Sequence, residues 1–427
     1  MTRSGPARTL RIDRLGHLGD GVAQGPAGDV FVPRALPGET VEGSISGARM
    51  GTPRILIPSP ERVPAPCPHF EACGGCALQH LGDASVAAWK TAIVQTALSG
   101  RDLQTVVRPM TTSPERSRRR AVLTGRRIGK TAVVGFHAPA AHRVTAIPDC
   151  RLLHPALLAA LPVLERLVHA GAGRKRDIAF TVTRSLEGLD INARGGRPLD
   201  AGLRERLVAV TAQPGAGEAG IARLVWNDEP LLMRAPPSQA FGPARVVPPP
   251  GAFLQATMHG EAALLRAVAE ALGGSGTRSL RVADLFCGCG TFALPLAQRH
   301  AVHAVEGDAE MVSALLAGAR MAPGLRPVTA EARDLFRRPL LASELARLDA
   351  VVIDPPRPGA EAQTAEIARS RVPVVVMMSC NPVTFARDAG CLVDAGYRLD
   401  WVQPVDQFRW SAHVELAARL VFDHIAR

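Results

Sequence analysis

Three short runs in the last third of the chain hold the side chains best suited to covalent chemistry: Asp354-Pro355-Pro356-Arg357, Ser379-Cys380-Asn381-Pro382 and His413-Val414-Glu415. The first two follow apolar runs that read as strands, and the third opens one. Cys380 precedes a helical pattern, PVTFARDAGCLVDAG, whose N-terminal dipole favours a thiolate. A thiolate with a carboxylate in reach is what a nucleophile and its proton acceptor require, and Glu415 supplies the carboxylate. Consecutive prolines after a buried strand lock an extended turn that can pack against a flat ring. Asp354 and Arg357, flanking them, could hydrogen-bond the edge of that ring and steady charge developing on it. Cys391, further along the helical pattern, reads instead as an inert buried thiol.

A second constellation lies upstream. Strand pattern RVADLF runs into Asp284-Leu-Phe286-Cys-Gly288-Cys-Gly290-Thr291, where the glycines allow a ligand to approach the backbone closely before a sharp turn into a helix. The D-x-x-x-G-x-G spacing differs from the GxGxxG of dinucleotide enzymes and favours a methyltransferase. Glu306 closes the next strand, where a carboxylate can accept both ribose hydroxyls. Asp334 follows the third and could accept from an adenine amino group, although an Asp there serves equally well as an N-cap. Three acids after three successive strands describe a pocket for S-adenosylmethionine. That cofactor gives the thiol a purpose. Carbon 5 of uracil is a poor nucleophile until a thiolate adds to carbon 6; the enolate so formed can attack the methyl sulfonium, and a base must then take the carbon 5 proton. The target base would have to leave its stack.

The elements that must position these residues alternate regularly from Gly251 onward, strand then helix, which implies an open, mostly parallel α/β sheet of Rossmann-like type over 251–427. Residues 1–50 read as short strands broken by Gly and Pro, a small β-barrel. Residues 51–250 are mixed α+β: a Pro-rich linker, a cysteine cluster, a helix near Asp83–Ser99 and the strand-like pieces RAVLTG, TAVVGFH, DIAFTVT and GLDINAR. Cys67, Cys73, Cys76 and Cys150 lie in this middle segment, apart from Cys287, Cys289, Cys380 and Cys391. Four thiols in a cytosolic chain suit a tetrahedral zinc site better than disulfides.

Net charge is +11 with a pI near 10.1, which points to a polyanionic partner such as nucleic acid. Arginine dominates, since Lys90, Lys130 and Lys175 are the only lysines, but seven basic residues and no acid between Arg116 and Lys130 form a local cluster suited to phosphate contact. Mean hydropathy is near zero. No apolar run reaches the about 18 residues of a bilayer span, and the N-terminus has no signal-like stretch; a cytoplasmic monomer is expected.

The combination DLFCGCGTFALPLA, DPPR, SCNP and HVE, in this order, resembles the RNA (uracil-5-)-methyltransferases across nearly the whole chain. That resemblance implies Cys380 as nucleophile, Glu415 as base, and Gln255, Phe286, Thr291, Glu306, Asp334 and Asp354 around the cofactor. It also implies Gln255 beside Asp354 and Arg357 at the substrate base. Cys67-x5-Cys73-x2-Cys76 with Cys150 resembles the 4Fe–4S site of the ribosomal-RNA branch, and VFVPRALPGETVEGSI resembles an RNA-binding TRAM domain of the OB type. Together these imply methylation of 23S ribosomal RNA. The alternatives are a tRNA uridine as substrate, or an RNA-binding iron–sulfur protein with a vestigial methyltransferase domain. The chain departs from the family pattern at Thr257, at Thr291 and at Phe408-Arg409-Trp410-Ser411, a loop expected beside the base pocket.

Overall fold

Alternating and apolar runs become three large β-sheets and one two-stranded ribbon. The computed structural model describes residues 7–25, 27–173, 176–212, 220–273 and 278–423; Lys175 and the outer limits of the first and last expected segments lie outside them.

The first sheet orders Ala7–Arg11, Thr40–Ser46, Arg49–Met50, Gly28–Val32, Gly21–Gly25 and Arg14–Leu15, with Arg54–Ile57 added on Thr40–Ser46. Side-chain alternation turns Ile12, Ala23, Val30, Val32, Val41 and Met50 into a small core of its own. Buried Glu39 ties this unit to the Pro-rich segment after it, accepting the N–H groups of Leu36 and Ser59 and pairing with Arg62.

The second sheet runs Val144–Ala146, Thr131–His137, Arg120–Ile128, Ile178–Arg184, Leu189–Arg194, Ile221–Trp226, Glu229–Met233. All pairs are antiparallel except Leu189–Arg194 with Ile221–Trp226. Helices Leu161–Gly171 and Ala201–Ala212 add Leu164, Leu167, Leu203 and Leu207 to a core built round Phe180 and Trp226.

In the third sheet the order is Val328–Ala332, Ala301–Glu306, Arg281–Leu285, Ala350–Ile353, Val374–Ser379, Glu415–Phe422, Tyr397–Asp406. The first five are parallel, Glu415–Phe422 runs against them, and Tyr397–Asp406 runs against that strand. Strands such as AVVI and VVVMMS are nearly all apolar because helices cover both faces. The expected α/β class with a Rossmann-like methyltransferase domain is borne out. Helix TFALPLAQR shrinks to Ala293–Leu296, with Pro295 inside it lacking a donor to continue the ladder.

The segment 83–112, read from the sequence as part of the middle unit, packs on this third sheet. Helix Asp83–Ser99 contributes Val94 and Leu98 to its core. Val106–Val107 and Thr111–Thr112 pair in parallel with Tyr397–Asp406 at the sheet edge. Among the described residues, no helix is long and apolar enough to cross a membrane.

Candidate active site

Arg281–Leu285 pairs with Ala301–Glu306 on one side and with Ala350–Ile353 on the other. The strand order reverses at this point, and a crevice opens above the C-terminal ends, where such sheets bind ligands. The sequence motifs all end on that edge. Phe286, Gly288 and Gly290 have φ values of 60°, 55° and 97°, so the chain coils tightly along the crevice floor. A Cβ on Gly290 would stand 2.9 Å from Leu294 and Leu315, and a bulky Phe at positive φ is a strained conformation that the surroundings must hold.

Glu306 faces this turn. The Gly288 N–H donates to its Oε2 at 2.9 Å and the Asp308 N–H to its Oε1 at 3.1 Å, which leaves each oxygen with further acceptor capacity. Asp334 is used as a cap: its Oδ1 accepts the N–H groups of Phe336 and Arg337 at 3.0 and 3.3 Å. Thr291 is half-buried in the turn after Gly290. Phe336, which sequence reasoning missed, is 48% exposed and packs on Phe286 with ring centroids 5.3 Å apart. Asp284 is fully buried, with no well-aligned hydrogen bond to either carboxyl oxygen and the Ala293 N–H facing it. Burial, then the charges of Asp354 and Glu306, push it well above the carboxylate range. An orphaned acid, a coiled glycine turn and a partly used Glu306 fit a ligand with donors of its own, as S-adenosylmethionine has.

Cys380 and Glu415 sit beyond Ala350–Ile353 along the same edge. Ser379 is in register with Leu416, which sets Cys380, one residue past the end of its strand, beside Glu415 at the start of the neighbouring one. Asp354 follows Ile353 and is tied into an amide chain. Gln255 Nε2 donates to Asp354 Oδ2 at 3.2 Å, Gln407 Nε2 donates to Gln255 Oε1 at 2.5 Å, and the Ala256 N–H donates to Gln407 Oε1 at 2.8 Å. Gln407 also bonds Glu415, a role the sequence did not announce. Arg357 donates to His413 Nδ1 at 2.7 Å, and its own carbonyl accepts from Asn381 Nδ2 and Thr384 Oγ1.

Burial, reinforced by Asp354, pushes Glu415 up to about 8, with Gln407 and Arg357 opposing. Asp354 keeps some surface but lies deep in the crevice, and desolvation takes it to about 7 against the Gln255 bond. Cys380 departs from its expected low value. Desolvation, then Glu415 and Asp354, raise it to about 11, and Arg357 only partly offsets them. Burial first, and then the two acids, override the expected lowering, so the thiol is protonated at rest.

Cys67, Cys73, Cys76 and Cys150 line one small pocket with Phe70, Phe136, Ile147 and Leu152. The glycines between Cys73 and Cys76 have no room for side chains. A Cβ on Gly74 would lie 2.7 Å from the His137 carbonyl, and one on Gly75 would lie 3.0 Å from the Phe136 ring and 3.4 Å from Cys73 Sγ. Burial raises Cys73, Cys76 (to about 12) and Cys150, and neighbouring thiols push each the same way. Among the described residues, no three His, Cys, Asp or Glu side chains are grouped as ligands of a single ion.

Several sequence expectations are redrawn. Within the basic cluster Arg119 is buried against Glu261, Arg120 holds the carbonyls of Gly251 and Ala252, and Arg126 pairs with Asp177, leaving Arg116, Arg127 and Lys130 exposed. Cys391 is exposed rather than buried. Thr257 caps helix Met258–Ala271 and bonds Ser113 at 2.7 Å. Lys90 and Asp406 form a buried ion pair at 2.7 Å beside the loop leading to Glu415.

A family profile described as tRNA (uracil-5-)-methyltransferase matches residues 249–421. An uncharacterized RNA methyltransferase of Rhizobium meliloti is 44% identical over 96% of this chain and 99% of its own length. A 23S rRNA (uracil(1939)-C(5))-methyltransferase of Dichelobacter nodosus is 32% identical, covering 94% of this chain and 95% of its own. The crystal structure of Pyrococcus abyssi tRNA (uracil-54, C5)-methyltransferase in complex with S-adenosyl-L-homocysteine superposes with a TM-score of 0.74 over 97% of this chain and 99% of that one. At 20% identity, that likeness shows a shared fold.

Proposed function

Because the chain belongs to the RNA (uracil-5-)-methyltransferases, an S-adenosylmethionine-dependent family, we propose that it methylates carbon 5 of a uridine in 23S ribosomal RNA through a covalent adduct on Cys380. The observation that carries this reading is the register that sets Cys380 beside Glu415, with Asp354 and Arg357 facing both. The Dichelobacter relative, similar from end to end, supports the ribosomal substrate. A tRNA uridine is the second reading, favoured by the name of the matching profile.

When bound, S-adenosylmethionine supplies the methyl group. Cys380 Sγ gives up its proton to solvent and bonds carbon 6 of the uracil, and the carbon 5–carbon 6 π electrons move toward carbon 5 and the carbon 4 carbonyl. Arg357 and Asp354 hold the uracil edge and steady that charge. Once carbon 5 carries the methyl group, the Glu415 carboxylate takes its remaining proton, the Sγ–carbon 6 bond breaks and the ring double bond re-forms. Gln255 and Gln407 keep Asp354 and Glu415 apart in orientation. Phe286, Thr291, Glu306 and Asp334 line the cofactor side; Asp334, already capping its turn, can offer only its second oxygen.

Cys67, Cys73, Cys76 and Cys150 hold a 4Fe–4S cluster in this reading, with zinc as the alternative. Three buried thiols and the half-buried Cys76 around one small, mostly apolar pocket, with glycines where a Cβ would intrude, support a resident group. Arg116, Arg127 and Lys130, with the N-terminal β unit as a TRAM-like domain, would contact RNA phosphates.

The test is methyl transfer from labelled S-adenosylmethionine to unmodified 23S rRNA and, separately, to unmodified tRNA, with nucleoside mass spectrometry and metal analysis. 5-Methyluridine in ribosomal RNA alone is expected. Product in tRNA alone would overturn the substrate and keep the chemistry.

A further inference from the structure

Residues 407–414 join Tyr397–Asp406 to Glu415–Phe422 and so lead directly into the proposed base. The ends of this loop are tied to the crevice, Gln407 to Gln255 and the Ala256 amide, His413 to Arg357. Its middle is tied elsewhere. Trp410 is 2% exposed and sits in the core that contains Cys73 and Cys150. Its carbonyl accepts the N–H groups of Ala77 and Leu78 at 2.8 and 3.0 Å, the two residues directly after Cys76. Its φ is 60°, a conformation a bulky aromatic side chain keeps only where its surroundings over-determine it. Ala77 and Leu78 belong to neither helix nor strand; Leu78 is anchored by its packing with Leu36, Leu81 and Val86, and on the other side the two amides follow directly from Cys76.

We propose that Trp410 is a positioning residue that docks the 407–414 loop on the cysteine pocket, so that the group held by the four thiols sets where Gln407 and Glu415 stand. This rests on the thiol-ligand and Glu415-base readings above. The contacts are contiguous: thiols to the Cys76–Leu78 backbone, backbone to the Trp410 carbonyl, loop to Gln407 and Glu415. No electron need pass; the group acts as a clamp on a segment with no ladder of its own.

The test compares the holoprotein with Trp410→Phe and Trp410→Ala, measuring bound iron and zinc, S-adenosylhomocysteine affinity, hydrogen exchange of residues 407–415, and kcat and KM for RNA. Trp410→Ala is expected to keep its metal and its S-adenosylhomocysteine affinity, and to exchange about tenfold faster across 407–415 while the parallel strands stay protected. A shift of the base by about 1 Å predicts a kcat about 10²-fold lower, with KM changed less than about threefold. Trp410→Phe should recover most of both. Stripping metal from the unaltered protein should loosen 407–415 to the same degree, with no further change in metal-free Trp410→Ala. Unchanged exchange in a metal-bound Trp410→Ala, or additive effects of metal removal and substitution, would overturn the proposal alone. A purified protein with neither iron nor zinc would overturn the thiol-ligand reading, and the proposal with it. Should Trp410→Ala lose its metal, Trp410→Leu takes its place, and unchanged exchange and kcat in metal-bound Trp410→Leu would overturn the clamp.

Discussion

In the middle sheet Arg223 donates through Nε and Nη2 to both oxygens of Asp190, at 2.8 and 2.7 Å, with side chains 7% and 9% exposed. At the edge of the third sheet Asp284, Asp354 and Glu415 are set deep as well, yet among the described residues no ion pair reaches any of them. The pair keeps its charges because each meets a partner in good geometry. Desolvation instead lifts all three acids above the usual carboxylate range, and the charge of Asp354 adds to the rise at Asp284 and Glu415. Nothing in folding requires that second arrangement, which costs stability wherever the acids must ionise. Under the proposed function its use lies in proton transfer and in pairing with a charged ligand.

Replacing residues at the unpaired edge should therefore cost chemistry and little stability. Cys380→Ala is expected to leave no 5-methyluridine while S-adenosylhomocysteine still binds. Glu415→Gln should lower turnover by roughly 10² to 10⁴-fold, the usual range for loss of a general base. Because the adduct then forms but does not resolve, Glu415→Gln should accumulate an RNA–protein complex that survives denaturation on a gel. Its absence, with Cys380 intact, would break the assignment of base and nucleophile to this edge.

The acid–base state of the same edge predicts a pH profile. Glu415 must be ionised to accept a proton, and its carboxyl titrates at about 8, with Asp354 near 7 and the Cys380 thiol near 11. Every one of these groups gains its working form as protons leave. Single-turnover methyl transfer should rise from pH 6 through pH 8 and not fall across that window. A rate already flat at pH 6 would mean that bound RNA and cofactor reverse the desolvation of Glu415.

The paired region should answer in the opposite way. Asp190→Ala leaves Arg223 buried with the Pro248 carbonyl as its remaining acceptor, a change that costs about 3–5 kcal/mol when a buried pair loses one partner. Chemical denaturation should show it, while the folded fraction keeps full activity with RNA and cofactor. A large fall in specific activity, with stability unchanged, would place the pair in the site after all.

Most of the unpaired edge was legible because each of its residues ends or opens a short apolar run. Cys380, Asp354, Glu306 and Glu415 needed only a strand pattern and the rule that open parallel sheets bind at one edge. What was hidden is long-range. Lys90 donates to the Phe408 carbonyl across 318 residues of sequence, and no local pattern says that Asp83–Ser99 packs on the third sheet. Gln407 hydrogen-bonds two site residues from a loop with no motif to mark it. The raised thiol was missed because the helix dipole is visible in sequence, whereas the burial of Cys380 and the approach of Glu415 on a reversed strand and of Asp354 at the end of a parallel one are not. The cluster of basic residues misled for the same reason, since the acids that pair with Arg119 and Arg126, Glu261 and Asp177, lie 142 and 51 positions away.

Arg126 and Asp177 sharpen the comparison within the paired sheet itself. Their contact is bidentate like that of Arg223 and Asp190, at 2.6 and 2.5 Å, but both side chains are about 30% exposed. Geometry alone would make the two pairs equal. Burial separates them: water replaces the lost partner of Arg126, whereas Arg223 has no water to turn to. Asp177→Ala should thus cost about 0–1 kcal/mol, and the loss should shrink further at high salt. Chemical denaturation of both alanine variants at low and high ionic strength measures the difference directly. Equal costs would mean that bidentate geometry, not desolvation, decides what a charge pair contributes here, and the reading of the unpaired acids as a burial effect would weaken with it.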